Sequence, residues 1–553
     1  METGTPVITE LAVRFADAPG FVDSSWLVLS PGVSVLTGRN NVGKSRLLMQ
    51  VRDLLGAVGN AQISTAIPLV RVTEGNTELT VDLRGVPPPG LWEVRQSGHL
   101  ITKSAWAQLQ NGNWQLTYET QQGQQQNLFS GSGLPSGVSG VGGSLPEFQR
   151  LNDEVNRIIY LPPQRIIQAT VAPQPVDVPS TVGNDLGQAI YKHRNAVTAE
   201  FAEFEAAVAA VLPEVSMVLT DPGPGQQVTI KLRDRFAGFD VPIDQAGTGV
   251  NQLLHLMATV LFMPHGRLLL IDEPQLHLHP GAEKALAAFL RQHPEHDYVM
   301  ATHSPLFINA LAPDRAWLLT RDMHGTRIQS VFGEQLPRAH VLQELGLTPG
   351  DIVVGERLIL VEGAADVEVL PLLMRRLGWD PIRLNCVVLQ LQGGDTARPL
   401  HDVIGELREV LNLPMMILLD GDKSGDIAAS EVVSFVPALD IEAVLMRDAD
   451  AVRRAFDEVL ASEPPEEFDL AAWRSTWSTK RIESFIVERA KGNSERKGAS
   501  ILADLAWAMG KLTYRKAVHG PRIAALIRPE HLADLRSVLQ PLLGEAAPVP
   551  VND

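Results

Sequence analysis

Short apolar runs that stop abruptly at polar or acidic residues punctuate this chain. "VSVLTG" (33–38), "GRLLLIDEP" (266–274), "HDYVMATHSP" (296–305), "RLILVEG" (357–363), "NCVVLQLQGG" (385–394) and "MMILLDGD" (415–422) each hold a strand's length of Val, Ile, Leu or Met. Continuous apolar runs of this length predict strands buried on both faces. Between them lie segments with apolar residues at helical spacing: "KSRLLMQVRDLL" (44–55), 185–212, "ADVEVLPLLMRRLG" (365–378) and "LADLAWAMGKL" (502–512). Strands alternating with helices predict a parallel sheet. The pattern occurs twice, on either side of the turn-rich "GLTPGDIVVGE" (346–356), and gives way to helices after about 470. From 111 to 145 the chain is rich in Gln, Gly and Ser, a composition that predicts a flexible insertion.

Composition narrows the classes. A chain of 553 residues is too long for one ordinary core. No apolar run approaches the roughly 18 residues of a membrane span, and the N-terminus has no basic start or apolar signal core, so a cytoplasmic protein with no membrane partner is expected. One cysteine, Cys386, permits neither an intrachain disulfide nor a thiolate zinc cluster. A net charge of −17 argues against nucleic acid, yet residues 471–540 carry 13 Lys and Arg against 6 Asp and Glu. That local excess is suited either to phosphates or to an ordinary solvated surface.

Candidate chemistry sits at the strand ends. "LTGRNNVGKSRLL" holds Gly38, four residues, then Gly43, Lys44 and Ser45, after a strand and before a helix. Glycines there let backbone N–H groups close on phosphate oxygens, Lys44 reaches the terminal phosphates, and Ser45 can ligate Mg²⁺. "RLLLIDEP" delivers Asp272, suited to hold Mg²⁺ through water, and Glu273, suited to polarise the attacking water. His303 ends the next strand, where it can sense the terminal phosphate. "GTGVNQ" opens a long apolar helix, an anion-binding start that a second copy can use.

These elements resemble the ATPase domain of ABC-type proteins of the RecF, SMC and Rad50 kind. "GRNNVGKS", with Asn40 and Asn41, is similar to their phosphate loop, and "GTGVNQ", with Thr248 and Gly249, falls at their signature motif. Gly247 departs from the usual Ser there. Gln164 in "YLPPQR" stands roughly where the family has its Gln-bearing loop, or in a Pro-rich structural turn.

In the second half, residues two apart in a strand face one way, so Asp420 and Asp422 are expected to project together and repel unless a cation lies between them. Hard oxygens favour Mg²⁺ or Mn²⁺. Glu362 ends a parallel strand too, with Asp366 one helical turn on. Glu-Gly after one strand and Asp-x-Asp after a later one resemble the TOPRIM fold. An ABC-type ATPase domain (1–345) followed by a TOPRIM domain (356–470) and C-terminal helices (471–553) is similar to the OLD-family nucleases, which include the Gabija nuclease subunit. The resemblance implies an α/β fold, ATP and Mg²⁺ (or Mn²⁺) as cofactors, and DNA as substrate. It also implies a homodimer or higher homo-oligomer through the ATPase domain, a helicase-like partner protein and a role in anti-phage defence. It carries metal ligation onto Glu362, Asp366, Asp420 and Asp422, extends it to Glu483 in "TKRIESFIVERA", and asks for a C-terminal lysine, with Lys516 chosen over Lys497 and Lys511. A DNA-maintenance ATPase with a structural TOPRIM domain, or a sensor subunit of a larger complex, stands as the alternative.

Overall fold

The computed structural model describes the chain outside residues 1–8, 16–19, 23–24, 60–68, 75–76, 83–90, 97–98, 109–113, 121–124, 132–155, 164–169, 172–175, 223–227, 237, 332–347, 349, 351, 353–354, 392–410, 412, 426, 466–467, 492–495 and 546–553. Two compact units divide it, Met1–Leu336 and Pro337–Asp553.

In the first unit, Ile158–Leu161, Leu268–Asp272, Asp297–Ala301, Val33–Thr37 and Arg315–Asp322 lie side by side in parallel. Gly325–Ser330 adds an antiparallel edge. Leu268–Asp272 is buried at every position, as a strand covered on both faces requires. Parallel strands end at one edge, so the loops that leave Thr37, Leu161, Asp272 and Ala301 all emerge on the same side. The phosphate loop runs from the first of these into the helix Lys44–Gly59. The helical pattern at 185–212 is two helices, Leu186–Ala196 and Ala199–Val211. Val197 breaks it in a left-handed conformation, and the Thr198 hydroxyl caps the second helix by accepting from Phe201 N.

The stretch 111–145 departs from expectation where it is described. Trp114–Thr120 and Gln125–Gly131 are the last two strands of an eight-stranded antiparallel sheet that begins with Leu27–Ser30 and Thr9–Arg14. Composition points to a loop, but Trp114, Leu116 and Tyr118 alternate with Gln115, Thr117 and Glu119, a period of two that suits a strand.

The second unit has a four-stranded parallel sheet in the order Cys386–Gln390, Arg357–Val361, Met415–Leu419, Val433–Phe435. The C-terminal helices share its core: Ile359, Val361 and Leu418 belong to one apolar cluster with Ile482, Ile501, Leu505, Ile523 and Leu535. Residues after 470 therefore belong to the body that carries the strand-end carboxylates.

Candidate functional site

The phosphate loop is shaped by backbone that only glycine tolerates well. Gly38 has φ 133° and Gly43 φ 108°, and a Cβ on Gly38 would lie 2.2 Å from Leu319 O. Lys44, buried at 6% exposure, donates to Gly38 O at 2.8 Å and Arg39 O at 3.1 Å. Burial lowers its pKa, opposed by the carboxylates of Glu273 and Asp272. Asn40, Asn41 and Ser45 are exposed around it, and Asn41 takes a positive φ of 66°.

Asp272 is fully buried. Burial raises its pKa, and hydrogen bonds from Ser45 and Tyr160 oppose the rise; the Tyr160 contact is long, at 3.5 Å. Its Oδ1 is buried without a partner. Glu273 has a left-handed φ of 46°, its N–H donates to Ala301 O at 2.8 Å, and its carboxylate is held from two sides. His303 Nδ1 stands 3.0 Å from both oxygens, and Gln275 Nε2 donates to Oε2 at 2.7 Å. The structure thus gathers Lys44, Ser45, Asp272, Glu273 and His303.

Thr248 opens the helix Thr248–Phe262, and no side chain caps that helix start. Gly247 has φ 87°, which explains glycine where the resemblance expects Ser. Gly249 is fixed by packing, since a Cβ there would lie 2.4 Å from His277 O. Gln164 lies outside the described residues.

A second group of carboxylates gathers at the C-terminal edge of the four-stranded sheet. Glu362 follows Arg357–Val361 directly, and its Oε2 is buried without a partner. Asp366, in the first turn of Ala364–Arg376, accepts from Gly363 N at 3.0 Å. Burial, then Glu442, push its pKa up to about 6. Burial, then Asp366 and Glu362, push Asp420 up to about 7. Asp420 and Asp422 do come together, although not by strand alternation. The strand ends at Leu419 and Asp422 lies in the short 3₁₀ turn Gly421–Gly425. The Lys497 ammonium joins them, 2.7 Å from Asp422 Oδ2 and 3.7 Å from Asp420 Oδ2.

Lys516 stands elsewhere on the cluster, 3.0 Å from Glu442 Oε1. Burial lowers its pKa, but Glu442, Asp440 and Asp366 outweigh it and the net shift is upward. Glu483 is not among these partners: it lines a cavity of about 520 Å³ with Arg447, Thr479, Arg496 and Arg528. The further carboxylate at the cluster is Glu442, only 2% exposed. Sequence reading missed Glu442; its signal is "LDIEAV", a buried-type acidic residue just past the last sheet strand. Tyr514, passed over in the sequence, also adjoins the group. Its hydroxyl is buried without a partner, and burial followed by Glu442, Asp440 and Asp366 raises its pKa.

Comparison with known proteins divides the chain in the same sense. Residues 152–309 match the family described as "AAA domain, putative AbiEii toxin, Type IV TA system". Residues 355–422 match "Overcoming lysogenization defect protein-like, TOPRIM domain". A protein named OLD nuclease from Thermus scotoductus (strain ATCC 700910 / SA-01) is 23% identical over 208 residues. That match spans 35% of this chain and 39% of the relative. Among solved structures, an SMC head bound to the C-terminal winged-helix domain of ScpA aligns over 61% of this chain and 99% of its own, at 14% identity and a TM-score of 0.33. The SMC head domain from Thermotoga maritima aligns over 59% and 99%, at 11% identity and a TM-score of 0.29.

Proposed function

We propose, from a match to an AAA domain followed by a match to an OLD-like TOPRIM domain and from the likeness to an OLD nuclease, that this chain is an OLD-family nuclease, a metal-dependent DNA endonuclease governed by ATP. The observation that carries the reading is the orphaned Glu362 Oε2, on a carboxylate near enough to Asp366 and Asp420 to raise the pKa of both. Neighbouring carboxylates repel, and a buried oxygen without a donor is costly unless a cation meets it. Glu362, Asp366, Asp420, Asp422 and Glu442 would hold Mg²⁺ or Mn²⁺; such ions, when bound, make a hydroxide available at neutral pH and neutralise phosphate charge. The donor set, all oxygen, suits those ions.

Lys497 is the lysine placed to neutralise charge developing on a phosphodiester, because its ammonium already lies on the Asp420–Asp422 pair. Lys516 holds the Glu442 carboxylate in place. In the first unit, Lys44 and the loop N–H groups bind the ATP phosphates. Ser45 and Asp272 would hold the accompanying Mg²⁺, which suits the orphaned Asp272 Oδ1. Glu273, fixed by His303 and Gln275, orients the attacking water. ATP engages a second copy through Thr248 and Gly249, and hydrolysis releases it, so that nucleotide state gates cleavage. A role in anti-phage defence, with a helicase-like partner protein, accompanies this reading.

The test is cleavage of supercoiled plasmid by the purified chain in Mg²⁺ or Mn²⁺, with and without ATP, beside Glu362→Gln and Asp420→Asn. Metal-dependent nicking abolished by both substitutions supports the reading. ATP hydrolysis without nicking in any lane rejects it in favour of an ATPase with a structural TOPRIM domain.

A further inference from the structure

Asp440 is 1% exposed and is not among the proposed metal ligands, although its charge acts on Asp420 and Lys516. One of its bonds is ordinary: Oδ1 accepts from Ala443 N at 2.9 Å and caps the short helix Ile441–Leu445. The others are not local. Oδ1 also accepts from Gly498 N at 2.9 Å, and Oδ2 from Ala499 N at 3.1 Å. One buried carboxylate therefore ties together the starts of two helices that lie 58 residues apart at this contact.

The approach is so close that only glycine fits. A Cβ on Gly498 would lie 2.2 Å from Ala443 N and 2.7 Å from Asp440 Oδ1. The residue before this glycine is Lys497, the N-cap of Gly498–Ala508, which makes no side-chain cap bond. Its side chain instead reaches the Asp420–Asp422 pair. A lysine is a point charge on a long flexible stem. Its reach is reproducible only if its backbone is fixed, and here the bonds of the next two residues fix it.

We propose that Asp440 and Gly498 form a clamp that positions Lys497 over the Asp420–Asp422 pair, so that the ammonium can pass from carboxylate to phosphate without backbone movement. Asp440 and Gly498 are positioning residues, and the inference rests on the nuclease reading.

The test is a double-mutant cycle on the full chain, reading Mn²⁺-dependent plasmid nicking. Asp440→Asn removes an acceptor, and Gly498→Ala forces the helix starts apart. Each is expected to lower the rate about 100-fold, the order of loss for a group misplaced by about 1 Å. The Mn²⁺ concentration giving half-maximal rate should stay unchanged in Gly498→Ala, which keeps the Asp440 charge that acts on Asp420. In a Lys497→Ala background neither substitution should cost anything further. Losses that multiply in that background, or a shifted Mn²⁺ midpoint in Gly498→Ala, would overturn the clamp. Circular dichroism checks folding, and two unfolded variants would mark the pair as a folding element and sink the proposal. A readout independent of cleavage is acylation of Lys497 by an amine-reactive ester, followed by peptide mass spectrometry. Both variants should speed it several-fold while leaving Lys480 unchanged; no change at Lys497 rejects the clamp. A wild-type chain that never nicks rejects the nuclease reading, and the acylation result still decides the clamp.

Discussion

Asp420 and Asp366 are carboxylates that burial and neighbouring charge hold partly protonated, with pKa values pushed up to about 7 and about 6. Metal ligation needs the deprotonated form, so metal and proton compete for the same oxygens. Mn²⁺ affinity is therefore expected to rise with pH through about 6 to 7 and level off above. Calorimetric titration at pH 6 and 8 checks this, and binding at pH 6 should release protons to the buffer; equal affinities at the two pH values would remove these carboxylates from the ligand set. Gly247 makes a second case. Its φ of 87° means that Gly247→Ser, which restores the commoner family residue, should destabilise the first unit by about 1 kcal/mol. Denaturant unfolding measures that loss, and an unchanged midpoint would contradict the strain.

Among the elements, the helix Ala449–Ser462 shows how the C-terminal region is bound to the sheet. Asp448 caps it and accepts from Arg528 Nε at 2.9 Å and from Arg528 N at 3.1 Å. Burial raises the Asp448 pKa, but these bonds prevail and hold it down to about 2. A depressed carboxylate contributes stability above its unfolded pKa of about 4 and loses it as pH falls through about 2. Asp448→Asn should cost roughly 2 kcal/mol at pH 7. The gap from wild type should shrink below pH 4 and close near pH 2, as chemical unfolding across that range would show; a gap independent of pH would refute the ion pair's role. Six of the parallel strands were legible as continuous apolar runs, whereas Ile158–Leu161, Arg315–Asp322 and Val433–Phe435 were not singled out. Lys44 was legible from the glycine spacing of its loop, and Asp272, Glu362 and Asp420 from their places at strand ends. Glu442, Asp440 and Lys497 were harder. They reach the cluster through contacts between residues tens of positions apart, which local pattern does not encode. The 3₁₀ turn at Gly421–Gly425 was hidden for another reason: Asp-Gly-Asp reads equally well as a strand or as a turn.

For the whole chain, the proposed engagement of two copies has a direct test. Glu273→Gln should bind ATP but hydrolyse it slowly, and light scattering after size exclusion should find a doubled mass with ATP and Mg²⁺, lost again in Lys44→Ala. A mass indifferent to nucleotide would reject the ATP-driven dimer. The sheet order of the first unit bears on how such a chain is made. Val33–Thr37, the strand that launches the phosphate loop, pairs on one side with Asp297–Ala301 and on the other with Arg315–Asp322. It leaves the ribosome long before either neighbour exists. At about 5–20 residues per second, that wait lasts on the order of tens of seconds. The strand that launches the nucleotide site thus waits for both of its partners, and nascent chains stalled before residue 297 should carry the loop but be unable to retain ATP.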